Sequence, residues 1–150
     1  MNKRTAVFVG SFDPFTAGHA NIVERALALF DHLVVGVGVN SEKTCLYSEA
    51  ERVAAIRRLY ADEPRISVKS YDDWTADFAL REGACCIVKG VRTAKDFQYE
   101  LRQAHFNREK SGIETILLPA DKALKRVSST LVRQRLKAGK DTTELLPELP

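Results

Sequence analysis

The chain has 150 residues, 45% of them hydrophobic and 29% charged, with a net charge of +3. That length suits one domain with a real core, residues 1–150 together. The small positive charge fits anionic small molecules rather than nucleic acid, which draws on a dense basic face, and no apolar run approaches the ~20 residues of a membrane span. Met1-Asn2-Lys3-Arg4 leads straight into the first strand with no cleavage pattern, which predicts a cytoplasmic protein. Ala6 to Val9 is a short apolar run and reads as a buried strand. Gly10 ends it, Ser11 offers a hydroxyl, and Asp13-Pro14 marks a loop. At Gly18-His19 an amphipathic helix begins, with Ile22, Val23, Ala26, Leu27 and Phe30 on one face. A strand, a glycine turn and a helix N-terminus make an anion site, because free N–H groups and the helix dipole both favour negative charge. His19 adds a side-chain donor there.

Leu33 to Val39 is the second predicted strand, followed by a polar loop, Asn40 to Tyr47, that carries Lys43. Ser48-Glu49-Ala50-Glu51 is a capping box that opens a helix with Val53, Ile56, Leu59 and Tyr60 inward. Ile66 to Val68 is a short strand. Asp72 or Asp73 caps the next helix, which carries Trp74 and Phe78 as core residues and stops at Gly83. Ala84 to Val88 is a strand, and Lys89-Gly90-Val91-Arg92-Thr93 the loop after it. A helix from Lys95 to Glu109 has Phe97, Leu101, Ala104 and His105 on one side and ends before Gly112. Thr115 to Leu118 is the last strand. A basic loop, Asp121 to Val127, precedes Ser128-Ser129-Thr130, which caps a helix with Leu131, Val132 and Leu136. Gly139 is its C-cap candidate, and the tail to Pro150 is weakly patterned. Cys45, Cys85 and Cys86 form no disulfide framework and no zinc spacing, and Cys85 and Cys86 read as reduced core thiols. His32 and His105 read as structural.

Strands alternating with helices predict an α/β fold: a Rossmann-like, doubly wound, five-stranded parallel sheet with helices on both faces. In such sheets the ligand lies beyond the carboxyl ends of the strands, at the switch point. Ser11 and His19, Lys43, Thr75, the Lys89 to Arg92 group and Ser128 to Thr130 all follow strands, so five polar groups converge on one edge.

Thr16-Ala17-Gly18-His19 resembles the (H/T)-x-G-H signature of the nucleotidyltransferase superfamily. Across nearly the whole chain the resemblance is to the phosphopantetheine adenylyltransferase family. Gly10 to His19 looks like its G-(T/S)-F-D-P-x-T-x-G-H, and Ser41-Glu42-Lys43 like its loop lysine. Lys89-Gly90-Val91-Arg92 and Asp96-Phe97-Gln98-Tyr99-Glu100 look like its (R/K)-G-(L/V)-R and D-(F/Y)-x-Y-E, and Ser128-Ser129-Thr130-Leu131-Val132 like its S-S-(S/T)-x-(V/I). Lys89 stands where many members have Arg, which keeps the charge and loses the bidentate fork. The Leu124 to Val127 loop lacks the aromatic residues some members carry.

The resemblance implies transfer of the adenylyl group of ATP to 4'-phosphopantetheine, giving dephospho-coenzyme A and pyrophosphate. It implies His19 and Lys43 as catalytic groups and Ser11, Lys43, Thr75 and Lys89 on the acceptor. The ATP residues it implies are Ser11, Phe12, His19, Gly90, Val91, Arg92, Glu100, Leu124, Lys125, Arg126, Val127, Ser128, Ser129 and Thr130. Glu100 either meets the nucleotide or pairs on its own helix. It further implies Mg²⁺ held by the triphosphate with no protein cage, coenzyme A as a feedback ligand, a homohexamer, and no nucleic-acid or membrane partner. Another small nucleotidyltransferase, such as a nicotinate-mononucleotide adenylyltransferase, is the rival enzyme reading; the Lys89 to Glu100 block argues against it. A non-catalytic nucleotide-binding module is the other rival; His19, Lys43 and Arg92 argue against that.

Overall fold

Apolar runs with no polar break become strands buried on both faces, and the first, second and fourth strands fit this rule. The computed structural model describes residues 3–150; Met1 and Asn2 of the N-terminal tetrapeptide discussed above lie outside the described residues. In chain order the elements are β1 (Thr5–Gly10), α1 (Ala17–Leu27), β2 (His32–Gly38), α2 (Glu49–Leu59), β3 (Ile66–Tyr71), α3 (Thr75–Arg81), β4 (Cys86–Val91), α4 (Ala94–Ser111), β5 (Glu114–Pro119) and α5 (Ser129–Lys137). Single 3-10 turns cover Lys122–Leu124 and Thr143–Leu145. All strand pairs are parallel, in the order β3-β2-β1-β4-β5. The expected five-stranded, doubly wound α/β sheet is what forms.

Alternate side chains of each strand enter opposite cores. Ala6, Phe8, Leu33, Val35, Val37, Cys86 and Val88 meet Ile22, Val23 and Ala26 of α1 and Val53 and Ile56 of α2. Val7, Val9, Val34 and Ile87 meet Ala76, Phe78 and Ala79 of α3. Burying each such Val, Ile, Leu or Phe contributes roughly 1.5–3 kcal/mol. Gly36 is required by close approach: a Cβ there would stand 2.5 Å from the Phe78 ring. The space lets Phe78 stack on Tyr71, centroids 4.3 Å apart.

Several boundaries differ from the sequence reading. β4 runs on through Lys89, Gly90 and Val91, which pair with Leu117, Leu118 and Pro119 of β5, so these residues sit on the sheet and not in a loop. β3 continues to Tyr71 because Lys69, Ser70 and Tyr71 pair with Gly36, Val37 and Gly38. Helix α1 stops at Leu27, and Phe30 reaches the core from the following turn. Neither Asp72 nor Asp73 caps α3. Trp74 holds the N-cap position without a side-chain bond, and the Asp73 carboxylate is taken by Arg81 at 2.8 Å. With the extended backbone of an N-cap, Trp74 leaves the helical stripe of Phe78. It is 58% exposed, against Phe106 and under Lys110, and is not a core residue.

Of the two neighbouring cysteines only Cys86 is core; Cys85, pointing the other way from the strand start, is exposed. Ser48 and Glu51 form the expected capping box. His32 is bonded to Ser67 at 2.9 Å, as a structural histidine should be, whereas His105 lies exposed on α4. Ala138 caps α5, and Gly139 takes the left-handed position just beyond. The tail is better organised than its pattern suggests: Leu145 is buried with Val127 and Val132.

Candidate active site

From β1 the chain winds outward through β2 to β3, then returns to lay β4 on the other side of β1. The crevice at the carboxyl ends of β1 and β4 is the switch point where such sheets bind ligands. Two cavities open there, of about 280 and 400 Å³. Val9, Gly10, Lys89 and Glu100 line both and so form their common wall.

The smaller cavity is lined by Phe12, His19, Gly90, Val91, Arg92, Glu100, Leu124, Val127, Ser128, Ser129 and Thr130, eleven of the fourteen expected ATP residues. Ser11 lines the other cavity instead. Lys125 and Arg126 line neither; their side chains are exposed, and Lys125 takes part through its carbonyl, which accepts from Arg92 at 3.3 Å. The larger of the two holds the whole expected acceptor set, Ser11, Lys43, Thr75 and Lys89. A still larger groove, about 820 Å³, lies along α1 and the C-terminal tail and shares Asn21 and Leu124 with the smaller cavity. Glu24, Glu63, Glu144 and Glu148 outnumber its one basic side chain, Arg65, so it repels polyphosphate.

His19 is held as a neutral donor. At the start of α1 its Nδ1 accepts from the Thr16 backbone N–H at 2.9 Å, which leaves the ring proton on Nε2. Thr16 returns the bond by accepting from His19 N–H, closing a capping box. Phe8, Phe12 and Phe15 surround the ring. Burial, then the charges of Lys89 and Arg92, push its pKa down to about 3. Phe12 supports this with a left-handed backbone, φ 51°, unusual for a bulky residue. Its ring lies against Gly10, where a Cβ would come within 3.1 Å.

The basic groups arrive on different elements. Lys43 Nζ donates to Ser11 Oγ at 3.1 Å. Lys89 Nζ donates to Val9 O at 3.3 Å and pairs with Glu100 at 3.3 Å, both side chains largely buried. Glu100 thus pairs across the cleft with β4 and not along its own helix. Arg92 leans on Asp96, 3.5 Å away. Ser128 caps α5 by accepting from Leu131 N–H, and Ser129 donates to Pro14 O at 2.7 Å, which fastens α5 to the turn after β1. Thr75 bonds Tyr71 at 3.0 Å between their hydroxyls. Among the described residues no three His, Cys, Asp or Glu side chains gather to hold a metal. Asp96 and Glu100, the carboxylates of the smaller cavity, are taken by Arg92 and Lys89.

Several site residues escape the sequence reading. Asp13, by sequence only a loop marker, is 2% exposed, and its carboxylate accepts the backbone N–H groups of Leu46 and Tyr47, each at 2.8 Å. Arg52 and Arg133 bind backbone carbonyls beside the site, and Tyr71, Gln103 and Asn107 line the larger cavity. Only Arg52 left a signal, a cation in the first turns of a helix, where the dipole disfavours it.

A cytidylyltransferase-like family model matches residues 7–135. Phosphopantetheine adenylyltransferase of Bacteroides thetaiotaomicron is 49% identical over 97% of this chain and 96% of its own. That of Phocaeicola vulgatus is 48% identical over 97% and 96%, and that of Cutibacterium acnes 46% over 95% and 90%. Among solved structures, a bifunctional NMN adenylyltransferase/ADP ribose pyrophosphatase from Francisella tularensis superposes with a TM-score of 0.69 at 17% identity, over 97% of this chain and 45% of that one. That last likeness speaks for the fold alone. With close relatives aligned almost end to end, the chain belongs to the phosphopantetheine adenylyltransferase family.

Proposed function

We propose that the protein transfers the adenylyl group of ATP to 4'-phosphopantetheine, as a step in coenzyme A biosynthesis. A phosphate oxygen of the acceptor attacks the α-phosphorus. The new O–P bond forms as the bond to the bridging oxygen of the β-phosphate breaks, and pyrophosphate leaves with that electron pair. Both reactants are anions, so the task is to hold them together and to neutralise charge. The observation that carries this reading is the common wall: two cavities meet at Lys89, with His19 in one and Ser11 and Lys43 in the other. ATP takes the smaller and the acceptor the larger.

In this reading His19 Nε2–H donates to an α-phosphate oxygen as charge builds. Lys43 spans the acceptor phosphate and the α-phosphate, beside the Ser11 hydroxyl and N–H. Lys89 holds the acceptor phosphate, and Arg92 with the α5 N-terminus takes the β- and γ-phosphates. Magnesium would come with the triphosphate, held by its oxygens and water, and would lower the charge on the leaving group. With ATP present, pyrophosphate release is expected with 4'-phosphopantetheine and not with nicotinate mononucleotide. The reverse preference would overturn the assignment.

The same proposal takes residues 1–150 as one cytoplasmic adenylyltransferase domain, with coenzyme A as a feedback ligand at this site and the hexamer as the working form. Supporting self-association, α4 turns Glu100, Ala104 and Asn107 inward and leaves Phe97 and Leu101 about two-fifths exposed. Light scattering at micromolar concentration should give six times the 16.8 kDa chain mass; a monomer mass would refute it.

A further inference from the structure

Lys43 lies in the long polar segment between β2 and α2, a place where chains are usually mobile. Its neighbours are nonetheless fixed from below by two buried charged residues, neither of which is among the groups assigned to substrate. Arg52, on α2, is 6% exposed and makes no ion pair with a carboxylate among the described residues. Its guanidinium donates to three backbone carbonyls: Ser11 at 2.7 Å and Gly38 at 3.2 Å through Nη1, and Tyr47 at 3.2 Å through Nε. Those carbonyls belong to the turn after β1, the end of β2 and the end of the Lys43 segment. Asp13 completes the arrangement through its bonds to Leu46 and Tyr47 N–H, and Arg133 in turn donates to Asp13 O at 2.8 Å. Tyr47 is therefore held at its N–H by Asp13 and at its carbonyl by Arg52. At the other end, Asn40 accepts Glu42 N–H on its side chain and Lys43 N–H on its carbonyl, both at 3.0 Å.

We propose that Arg52 and Asp13 are positioning residues that form a buried latch, fixing the Lys43 segment and the Ser11 turn so that Lys43 Nζ and Ser11 Oγ stand together before substrates bind. A buried guanidinium without a carboxylate is costly unless its donors are satisfied. Three carbonyls from three segments satisfy it only when those segments are in register, so its desolvation penalises every displaced arrangement. Lysine lacks the fork to reach all three. The purpose of the latch rests on the proposed part of Lys43 in the transfer.

The test is steady-state kinetics on Arg52→Lys and Asp13→Asn, each alone and in a Lys43→Ala background, with thermal melting as a check on folding. Misplacing a reacting group by about 1 Å costs ~10²-fold. Each single variant should lower kcat about 10–100-fold with KM for ATP little changed, and most of that loss should vanish once Lys43 is absent, as coupled residues require. Equal losses in both backgrounds, or an unchanged kcat in Arg52→Lys, would overturn the latch. Unchanged kcat in Lys43→Ala alone would instead overturn the reading on which its purpose rests. Hydrogen exchange on the unaltered protein decides the clamp itself even if a variant fails to fold. Leu46 and Tyr47 amides should exchange as slowly as those of β2, and exchange as fast as in an open loop would refute it.

Discussion

Replacing His19 with alanine is expected to lower kcat by about 10²–10³-fold, the usual cost of removing a positioned donor to developing charge. ATP affinity should change far less, because Arg92 and the α5 N-terminus remain. Thr16 N–H on Nδ1 makes the donor Nε2–H, so His19→Gln should recover part of the loss if its amide reaches the same oxygen. The electrostatics sharpen the expectation. With its pKa held at about 3, His19 is neutral in the free protein across the working range. Its titration should therefore leave no acid limb near pH 6.5 in kcat/KM, which reports the free enzyme. The folded form binds this proton less readily than the unfolded chain, so stability from His19 is complete above about pH 6.5. It is lost as pH falls from there towards about 3. An unchanged kcat in folded His19→Ala, or a limb near pH 6.5 that the substitution removes, would take the neutral donor out of the mechanism.

Lys43 and Lys89 are expected to fail in different ways. Lys43 stands on the loop after β2, in the wall of the larger cavity with its Nζ on Ser11 Oγ, and in its proposed role its charge would matter most when the transferring group carries extra charge. Lys43→Ala should mainly lower kcat. Lys89 stands on β4 and is braced by Val9 O and Glu100, so in its proposed role it would hold the acceptor phosphate alike before and during transfer. Loss of such shared binding raises KM and leaves kcat nearly alone. Lys89→Ala should raise KM for 4'-phosphopantetheine about 10–100-fold, the range of a charge-assisted bond. Without Lys89 the largely buried Glu100 carboxylate would be left unpaired beside the proposed acceptor phosphate. Glu100→Gln in the Lys89→Ala protein should therefore recover some affinity, and Lys89→Arg should stay near normal. If Lys89→Ala lost kcat at constant KM, or Lys43→Ala changed only KM, the two roles would be reversed.

The sheet and the edge that carries the site were legible because their signals are local and redundant. Apolar runs set β1, β2 and β4, and Gly10, Gly18 and the Ser48 and Ser128 caps mark where chain direction changes. What stayed hidden depends on contacts distant in sequence. Lys89 to Val91 read as a loop because strand pairing with β5 is not visible in a polar triplet. Arg52 drew no expectation from sequence because its partners are carbonyls from segments up to 41 residues away. Asp13 read as a turn former because its two acceptor bonds cross to residues more than 30 positions on. Trp74 was assigned inside by helical spacing, yet that spacing holds only within the helix, and its backbone is extended.

Adenylyl as the group transferred and 4'-phosphopantetheine as its acceptor are tested most directly by incubation with ATP labelled at the α-phosphorus, and separately at the γ-phosphorus. The α-label is expected in dephospho-coenzyme A and the γ-label in pyrophosphate, in equal amounts and only when 4'-phosphopantetheine is present. An α-label that stays in free AMP or ATP, or that moves to nicotinate mononucleotide instead, would contradict this assignment.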